Sequence, residues 1–175
     1  NGVPRNSIAR LNADGTVELG FDPGAGVTLG PEACPSCWIN CEVRSLCLQP
    51  DGKVLLGGRF ERVNGLERRG LARLNADGSL DKPFHPLLPN IGLEYGFGAM
   101  ACQSDGKILV GGEFDPPDQG LLRFNPDGSP DTSFGYSSGP EGNQPVIAAG
   151  KVFIQPRSDP VQPSGRSFAS PPTRV

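Results

Sequence analysis

The stretch QPDGKVLLGGRF at residues 49–60 returns as QSDGKILVGGEF at residues 103–114, with eight of twelve positions identical. A second stretch, ARLNADG at residues 9–15, recurs letter for letter at 72–78 and loosely as LRFNPDG at 122–128. Two segments that alternate along one chain are typical of a repeat architecture, in which each copy is one supersecondary unit. The fold can therefore be predicted from the structure of one repeat unit and the number of its copies.

Each of the two segments predicts a β-hairpin. In QPDGK the flanking apolar runs are joined by Pro50, Asp51 and Gly52. A three-residue loop made of a type I turn and a left-handed residue suits Pro first and Gly last. The loop of the second segment has Gly78 at the same position. The 25 Gly and 19 Pro of the chain disfavour helices and agree with an all-β fold.

The register of the second hairpin predicts an opposite-charge pair across it. If Asn75 faces Ser79 across the turn, then Arg73 faces Asp81. The same count gives one pair in each of the other copies, namely Arg10 with Glu18 and Arg123 with Asp131. An exposed pair of this kind contributes only about a few tenths of a kcal/mol. We therefore interpret these arginines as repeat architecture and not as a catalytic set.

Two successive hairpins predict a unit of four antiparallel strands. Its first strand is apolar on both faces, with Leu46 and Leu48 on one side and Val43 and Cys47 on the other. Since such a strand must be covered on both faces, neighbouring units have to stack. The predicted fold is an all-β, β-propeller-like stack of four-stranded antiparallel blades. Phenylalanines at equivalent positions are predicted to fill its core: Phe21, Phe60, Phe84, Phe114 and Phe134.

The repeat phase predicts how the chain is organised. The repeat segment covers residues 1–154 and comprises a half blade at 7–21, a blade with strands at 43–49, 53–60, 70–75 and 79–84, a blade at 97–134, and a terminal hairpin at 145–154. Residues 155–175 are rich in Pro and Ser and are predicted to be a tail or linker. Together these elements amount to about three blades, whereas propellers typically have four to eight. The ring is therefore predicted to be open or partial.

Three interpretations of this incomplete ring remain. The chain is a fragment of a longer propeller, or copies exchange half blades, or the hairpins form a three-blade-like or non-propeller stack. Exchange between copies gives either a closed dimer of about six blades or a filament. The expected partners are thus further blades of a longer chain or copies of itself, with a protein or glycan ligand as a further possibility.

The two motifs resemble those of the delta-sixty repeat family. The matching text is ARLNADGTVELGF, CLQPDGKVLLGGRF, ARLNADGSLDKPF, CQSDGKILVGGEF and RFNPDGSPDTSF, and it spans roughly residues 1–134. The resemblance implies a β-propeller, usually in large exported bacterial proteins. It implies no particular activity and no catalytic residues.

Five cysteines indicate an oxidising compartment. They are placed unevenly: Cys34, Cys37 and Cys41 in CPSCWINC, and Cys47 and Cys102 in strand-like runs. We interpret them as candidate disulfide cysteines of an extracellular or cell-surface protein. A zinc site using the first four is an alternative, although it lacks two separated pairs of ligands. The odd number leaves one thiol free or paired between chains.

The connection at residues 22–42 is longer than its counterpart and contains Trp38. An exposed Trp in a loop on a rigid β scaffold is a frequent anchor for a partner. Trp38 is therefore a candidate contact surface. Its alternative is a disulfide-tied plug in which the indole fills space between blades.

Other polar motifs predict no catalytic, cofactor-binding or metal-binding residue. The turns at 75–81 and 125–131 set Asn and Asp at a spacing that could gather calcium, but a hairpin turn accounts for the same residues. His85 is the one histidine, and no nucleophile is predicted near it. The pair Gly57–Gly58 lies inside a strand, where it predicts a β-bulge or close packing of blades.

Charge and hydropathy point away from nucleic acid and membrane insertion. The chain has 16 basic and 19 acidic residues, so no overall field attracts phosphate. No apolar run approaches the ~20 residues that a spanning helix needs. The predicted function is a non-enzymatic, exported structural or binding propeller that mediates self-assembly or protein or glycan contact, without a cofactor. The alternative is a fragment of a propeller enzyme with its site on the propeller axis.

Overall fold

A computed structural model describes residues 3–30, 41–86, 97–112, 120–134, 144–148 and 151–155. No helix within these ranges is long and apolar enough to cross a lipid bilayer. The strands in chain order are β1 (Val27–Thr28), β2 (Glu42–Leu48), β3 (Val54–Arg59), β4 (Arg62–Val63), β5 (Leu66–Glu67), β6 (Leu71–Leu74), β7 (Phe97–Cys102), β8 (Ile108–Gly112), β9 (Gly120–Phe124), β10 (Gln144–Ala148) and β11 (Lys151–Gln155).

Antiparallel sheets stacked in chain order make up the described part of the chain. One sheet has the order β2–β3–β6, and we call it, with residues 75–84, the first blade. The order β7–β8–β9, with residues 125–134, forms the second blade. Residues 7–21 form the half blade, and β10 pairs with β11 in a hairpin that lies against β7 and β8. The described sheets are all antiparallel, and the stack is open and not closed. The predicted all-β, open propeller-like architecture is therefore confirmed.

The outermost strand of each blade is shorter than predicted. Its pairing is a single bridge, Leu74 with Leu80 in the first blade and Phe124 with Pro130 in the second. The chain turns just after this bridge, because the amide of Phe84 donates to the carbonyl oxygen of Asp81 at 3.2 Å. Pro130 also has no N–H to extend the ladder. The predicted strand at 79–84 and its equivalent in the second blade are therefore reduced to short edges.

Glycine pairs create a β-bulge in each inner hairpin, as the sequence predicts. The register of β2 on β3 shifts between Val43 and Ser45, opposite Gly57 and Gly58. A Cβ atom on Gly58 would collide with the carbonyl oxygen of Glu42. The register of β7 on β8 shifts at the equivalent place, opposite Gly111 and Gly112.

The bulge also changes which side chains share a face of β2. Val43 lies opposite Gly58, and Leu46 lies opposite Leu56. Residues opposite each other project from the same face, so Val43 is on the side of Leu46 and Leu48. The sequence-based prediction that put Val43 beside Cys47 is wrong, because it assumed unbroken alternation.

Two apolar cores lie between consecutive units. Alternate residues of β3 divide between them, with Val54 and Leu56 in one and Leu55 in the other. The core between half blade and first blade contains Phe21, Val27, Val54, Leu56, Phe60, Val63, Ala72, Leu74 and Leu80. The core between the two blades contains Leu55, Leu71, Phe84, Met100, Ile108, Val110 and Phe124. The central strand is thus covered on both sides, which is the reason the units stack.

A small sheet that was not predicted joins the long connection to the first blade. Its order is β1–β4–β5, and β4 and β5 form a hairpin around Asn64 and Gly65. Both turn residues have positive φ, 50° and 77°. An Asn–Gly pair is a strong signal for a two-residue hairpin loop, so the sequence contained the information for this element.

Candidate functional site

The candidate site lies on the faces of the blades. Equivalent positions of the repeat can be compared on these faces, because each unit has the same local structure. We call the face of a unit that looks toward the preceding unit its leading face. The opposite face is its trailing face. Leu56 marks the leading face of the first blade, and Leu55 marks its trailing face.

A charged cluster spans the trailing side of the first blade. The Nε atom of Arg73 lies 2.8 Å from Oδ2 of Asp81, which confirms the predicted cross-strand pair. The Nζ atom of Lys53 donates to the same oxygen at 2.8 Å. The Asp81 side chain is only 7% exposed. Sequence reasoning missed Lys53, although a Lys follows the turn Gly in both inner hairpins.

The second blade repeats the whole cluster, and the half blade repeats its arginine–carboxylate pair. Arg123 and Lys107 donate to Oδ2 of Asp131 at 2.7 and 2.8 Å. In the half blade, Nη2 of Arg10 donates to Glu18 at 2.7 Å. All three predicted pairs are therefore present.

Hydrogen bonds keep these carboxylates ionised. Burial raises the pKa of Asp81, but hydrogen bonds from Lys53 and Arg73 outweigh it, so that the pKa lies below its ordinary value. Hydrogen bonds from Lys107 and then Ser133 hold the pKa of Asp131 well below its usual range. A general acid at neutral pH needs the opposite shift. The clusters therefore suit structure and not proton transfer.

Two of the three arginines, Arg10 and Arg73, also connect their unit to the next one. Nη1 of Arg10 donates to the carbonyl oxygen of Ala76 at 2.9 Å, and Nη1 of Arg73 donates to that of Pro126 at 2.7 Å. Ala76 and Pro126 hold the same position in their turns. The guanidinium of Arg73 further stacks on Phe84, 4.2 Å from the ring centroid.

The alternating segments and the stacked antiparallel blades can now be compared with known proteins. The sequence pattern of a family described as a domain of unknown function, DUF5122, β-propeller, matches residues 1–21, 49–84 and 103–134, just over half of the chain. The chain belongs to the DUF5122 β-propeller family. No match was found among curated proteins or among solved structures.

A disulfide joins the innermost strands of the two blades of this DUF5122 propeller. Cys47 of β2 is bonded to Cys102 of β7, with their Cα atoms 6.2 Å apart. Gln49 and Gln103 are equivalent, so the two cysteines occupy repeat positions that differ by one. Because strand side chains alternate, they project from opposite faces of equivalent strands and meet between the blades. This offset of one residue was the feature of the sequence that could have predicted the disulfide.

The three clustered cysteines are not part of the inter-blade disulfide. Cys41 carries a free thiol that is half-buried, and burial raises its pKa. Cys34, Cys37 and Trp38 lie outside the described residues, and the contact surface at Trp38 stays a prediction. Since Cys47 forms the inter-blade disulfide, it is not available to the zinc site considered as an alternative.

Acidic turn residues hydrogen-bond within their own loops. Oδ1 of Asp77 accepts from the amide and hydroxyl of Ser79 at 2.9 and 2.7 Å. Asp127 makes the same bonds with Ser129. Within the described ranges, no three His, Cys, Asp or Glu side chains gather in a metal-binding arrangement. His85 is exposed beyond the end of the first blade.

Apolar side chains on the leading face of the first blade are open to solvent. Leu46 and Leu48 of β2, which we call the leucine patch, are 54% and 69% exposed. Their equivalents in the second blade are Met100, which is 8% exposed, and Cys102, which is in the disulfide. The same repeat position is thus a blade contact in one unit and an open surface in the other.

Proposed function

We propose that this chain is a non-enzymatic, exported binding and scaffold propeller of the delta-sixty type, which acts by placing an open blade face against another protein, self-assembly included. The leucine patch carries the proposal. Leu46 and Leu48 are exposed at the positions where the second blade packs Met100 and Cys102 against a neighbour. An apolar surface at a position built for blade contact is a docking surface for a β-sheet.

The chemistry of the leucine patch favours a protein ligand over a glycan. Leu46 and Leu48 offer no hydrogen-bonding group to sugar hydroxyls, whereas they match an apolar sheet face. Burying the remaining exposed surface of each leucine contributes on the order of 1 kcal/mol to binding. β2 is also at the edge of its sheet, with β3 as its one sheet neighbour among the described strands.

The charged residues support a role without catalysis. Arg73, Lys53 and Asp81 hold one another, and the second blade repeats the same arrangement. The lowered pKa values of Asp81 and Asp131 favour permanent negative charge. Catalytic carboxylates that donate a proton are instead shifted upward by their surroundings.

The inter-blade disulfide supports export. A bond between Cys47 and Cys102 persists in oxidising compartments and is rare in the reducing cytosol. It joins two blades at their inner strands, where it would limit opening of the stack. A secreted or surface-attached scaffold benefits from such a link.

Binding of a β-hairpin peptide tests the proposed function. A labelled peptide of residues 97–112 with Cys102→Ser, whose trailing face carries Ala101 and Leu109, is titrated with the chain and followed by fluorescence anisotropy. We expect saturable binding that weakens at least about tenfold, or ~1.4 kcal/mol, when Leu46 and Leu48 are both replaced by Ser. Leu19→Ser is the matched control, since Leu19 is 71% exposed and its equivalents Lys82 and Thr132 are polar.

Two outcomes would contradict the proposal. One is the absence of peptide binding to the folded chain. The other is equal binding by the wild type and the double variant. A parallel titration with polysaccharides covers the glycan alternative, and glycan binding that survives the double variant would place the binding site elsewhere.

A further inference from the structure

We propose that the partner of the open face is a second copy of this chain, bound head to tail. In this arrangement the β10–β11 hairpin of one copy lies beside the half blade of the other and completes a blade. The inference rests on the proposed function and names its partner. Its evidence comes from repeat positions that are covered in both blades and open in the half blade.

The first such position is an apolar residue on the leading face. Leu74 of the first blade is fully buried, and Phe124 of the second is 1% exposed. Each packs against the unit before it. The equivalent residue of the half blade, Leu11, is 59% exposed. The leading face of the half blade is therefore shaped for a preceding blade and lacks one among the described residues.

The second position is the glycine of the outer turn. A Cβ atom at Gly78 would lie 2.6 Å from the backbone of Asp22, and one at Gly128 would lie 3.0 Å from the ring of Phe84. In both cases the preceding unit comes close to the turn. At Gly15 nothing described lies within 4 Å. The turn of the half blade thus has the same glycine as the other two turns, but no described residue of a preceding unit lies against it.

The third position is a carbonyl oxygen two residues before that glycine. Ala76 and Pro126 each accept a hydrogen bond there from the arginine of the preceding unit. Ala13 is the equivalent residue of the half blade. Among the residues that the structure describes, no arginine reaches its carbonyl oxygen.

The opposite end of the stack presents the matching donor. Arg123 holds Asp131 and stacks on Phe134, 4.3 Å from the ring centroid. No turn carbonyl faces its Nη1 atom in the described part of the chain. Phe134 is half-buried, whereas its equivalents Phe21 and Phe84 are at most 1% exposed. The trailing face of the second blade is therefore built to cover a following outer hairpin.

The two ends complement each other as halves of one blade. The β10–β11 hairpin lies against β7 and β8, where an inner hairpin of the next unit belongs. The half blade is an outer hairpin. Placing the half blade of a second copy beside β10–β11 brings Ala13 to Arg123 and covers the leucine patch.

Ring geometry favours two copies. The described residues of one copy supply about three blades, whereas propellers typically have four to eight. A head-to-tail contact generates a ring when its rotation closes, and two copies give about six blades. The same contact is then made twice in one closed dimer.

Assembly mass is the first test. We expect light scattering coupled to size-exclusion chromatography to give about twice the monomer mass of 18.4 kDa. Leu11→Asp, and separately Phe134→Ser, should give monomers, whereas Leu19→Asp should leave the dimer intact. Circular dichroism checks that each variant is folded, and Arg123→Gln serves as a second trailing-face variant if Phe134→Ser does not fold.

Mixing the variants tests the head-to-tail geometry. An equal mixture of Leu11→Asp and Phe134→Ser retains one interface with both wild-type faces, so we expect dimers that neither variant forms alone. A symmetric contact of one face with itself would show no such rescue. A wild-type chain that is monomeric at its highest soluble concentration would overturn the inference, as would dimers insensitive to both substitutions. Peptide binding by such a monomer would leave the proposed function standing.

Discussion

Arg73 donates a hydrogen bond from Nη1 to the carbonyl oxygen of Pro126, 2.7 Å away and in the next blade. The same guanidinium binds Asp81 within its own hairpin and stacks on Phe84. One side chain therefore connects the hairpin, the core between the blades and the following turn. Arg10 makes the same set of contacts one unit earlier, with Glu18, Phe21 and Ala76.

Replacing Arg73 should destabilise the fold. Arg73→Ala removes the inter-blade hydrogen bond and leaves the 7% exposed carboxylate of Asp81 with Lys53 alone. Lost hydrogen bonds to charged groups predict a decrease of about 2–3 kcal/mol in the free energy of unfolding, measured by urea denaturation. The control Arg69→Ala removes an exposed pair with Glu67 and should cost less than about 1 kcal/mol. Similar urea midpoints for both variants would contradict the structural role of Arg73.

A methyl group on Gly58 should disturb the bulge. Gly58→Ala places a Cβ atom against the backbone of Glu42, so the inner hairpin must shift. We expect a loss of about 1–3 kcal/mol, as for other overpacked sites, from thermal or urea unfolding. Gly20→Ala is the control, because its Cβ atom meets only Glu18, at 3.9 Å, and it should be close to neutral. An equally stable Gly58→Ala variant would show that the bulge has room for a side chain.

Opening the disulfide should weaken the contact between blades. Cys47 and Cys102 are 55 residues apart, and a cross-link over a loop of this length restricts the unfolded chain. Cys102→Ser should lower the free energy of unfolding by about 2–4 kcal/mol. Cys41→Ser, which removes a free thiol, is the control. Intact mass after alkylation without reductant checks the pairing, and alkylation of Cys47 or Cys102 under these conditions would refute it.

Acid should destabilise the chain through Asp131. Its pKa is lowered in the folded state by Lys107, Ser133 and Arg123. The resulting stabilisation is complete above the unfolded-state pKa of about 3.9 and is lost as the pH falls below that value. Urea unfolding at pH 7, 4 and 3 should therefore show a smaller acid-induced loss in Asp131→Asn than in the wild type. The exposed control Glu67→Gln should lose as much stability in acid as the wild type does. An equal acid-induced loss in Asp131→Asn and the wild type would contradict the role of Asp131.

Local patterns predicted the hairpins well and their surroundings less well. The pairing of Arg73 with Asp81 followed from counting outward from one turn. Lys53 was missed because it comes from a different hairpin, 28 residues before Asp81. Val43 was placed on the wrong face because a single extra residue in β2 reverses the alternation beyond it.

The sequence by itself determined the repeat, the turns, the cross-strand charge pairs and the need for blades to stack. These features depend on neighbours within a few residues and on strict alternation along a strand. Only the tertiary structure decided that Cys47 meets Cys102, that Arg73 reaches Pro126, and that Leu46 is exposed while Met100 is buried. Equivalent residues in a repeat have the same local conformation, but their burial depends on whether another unit lies against them.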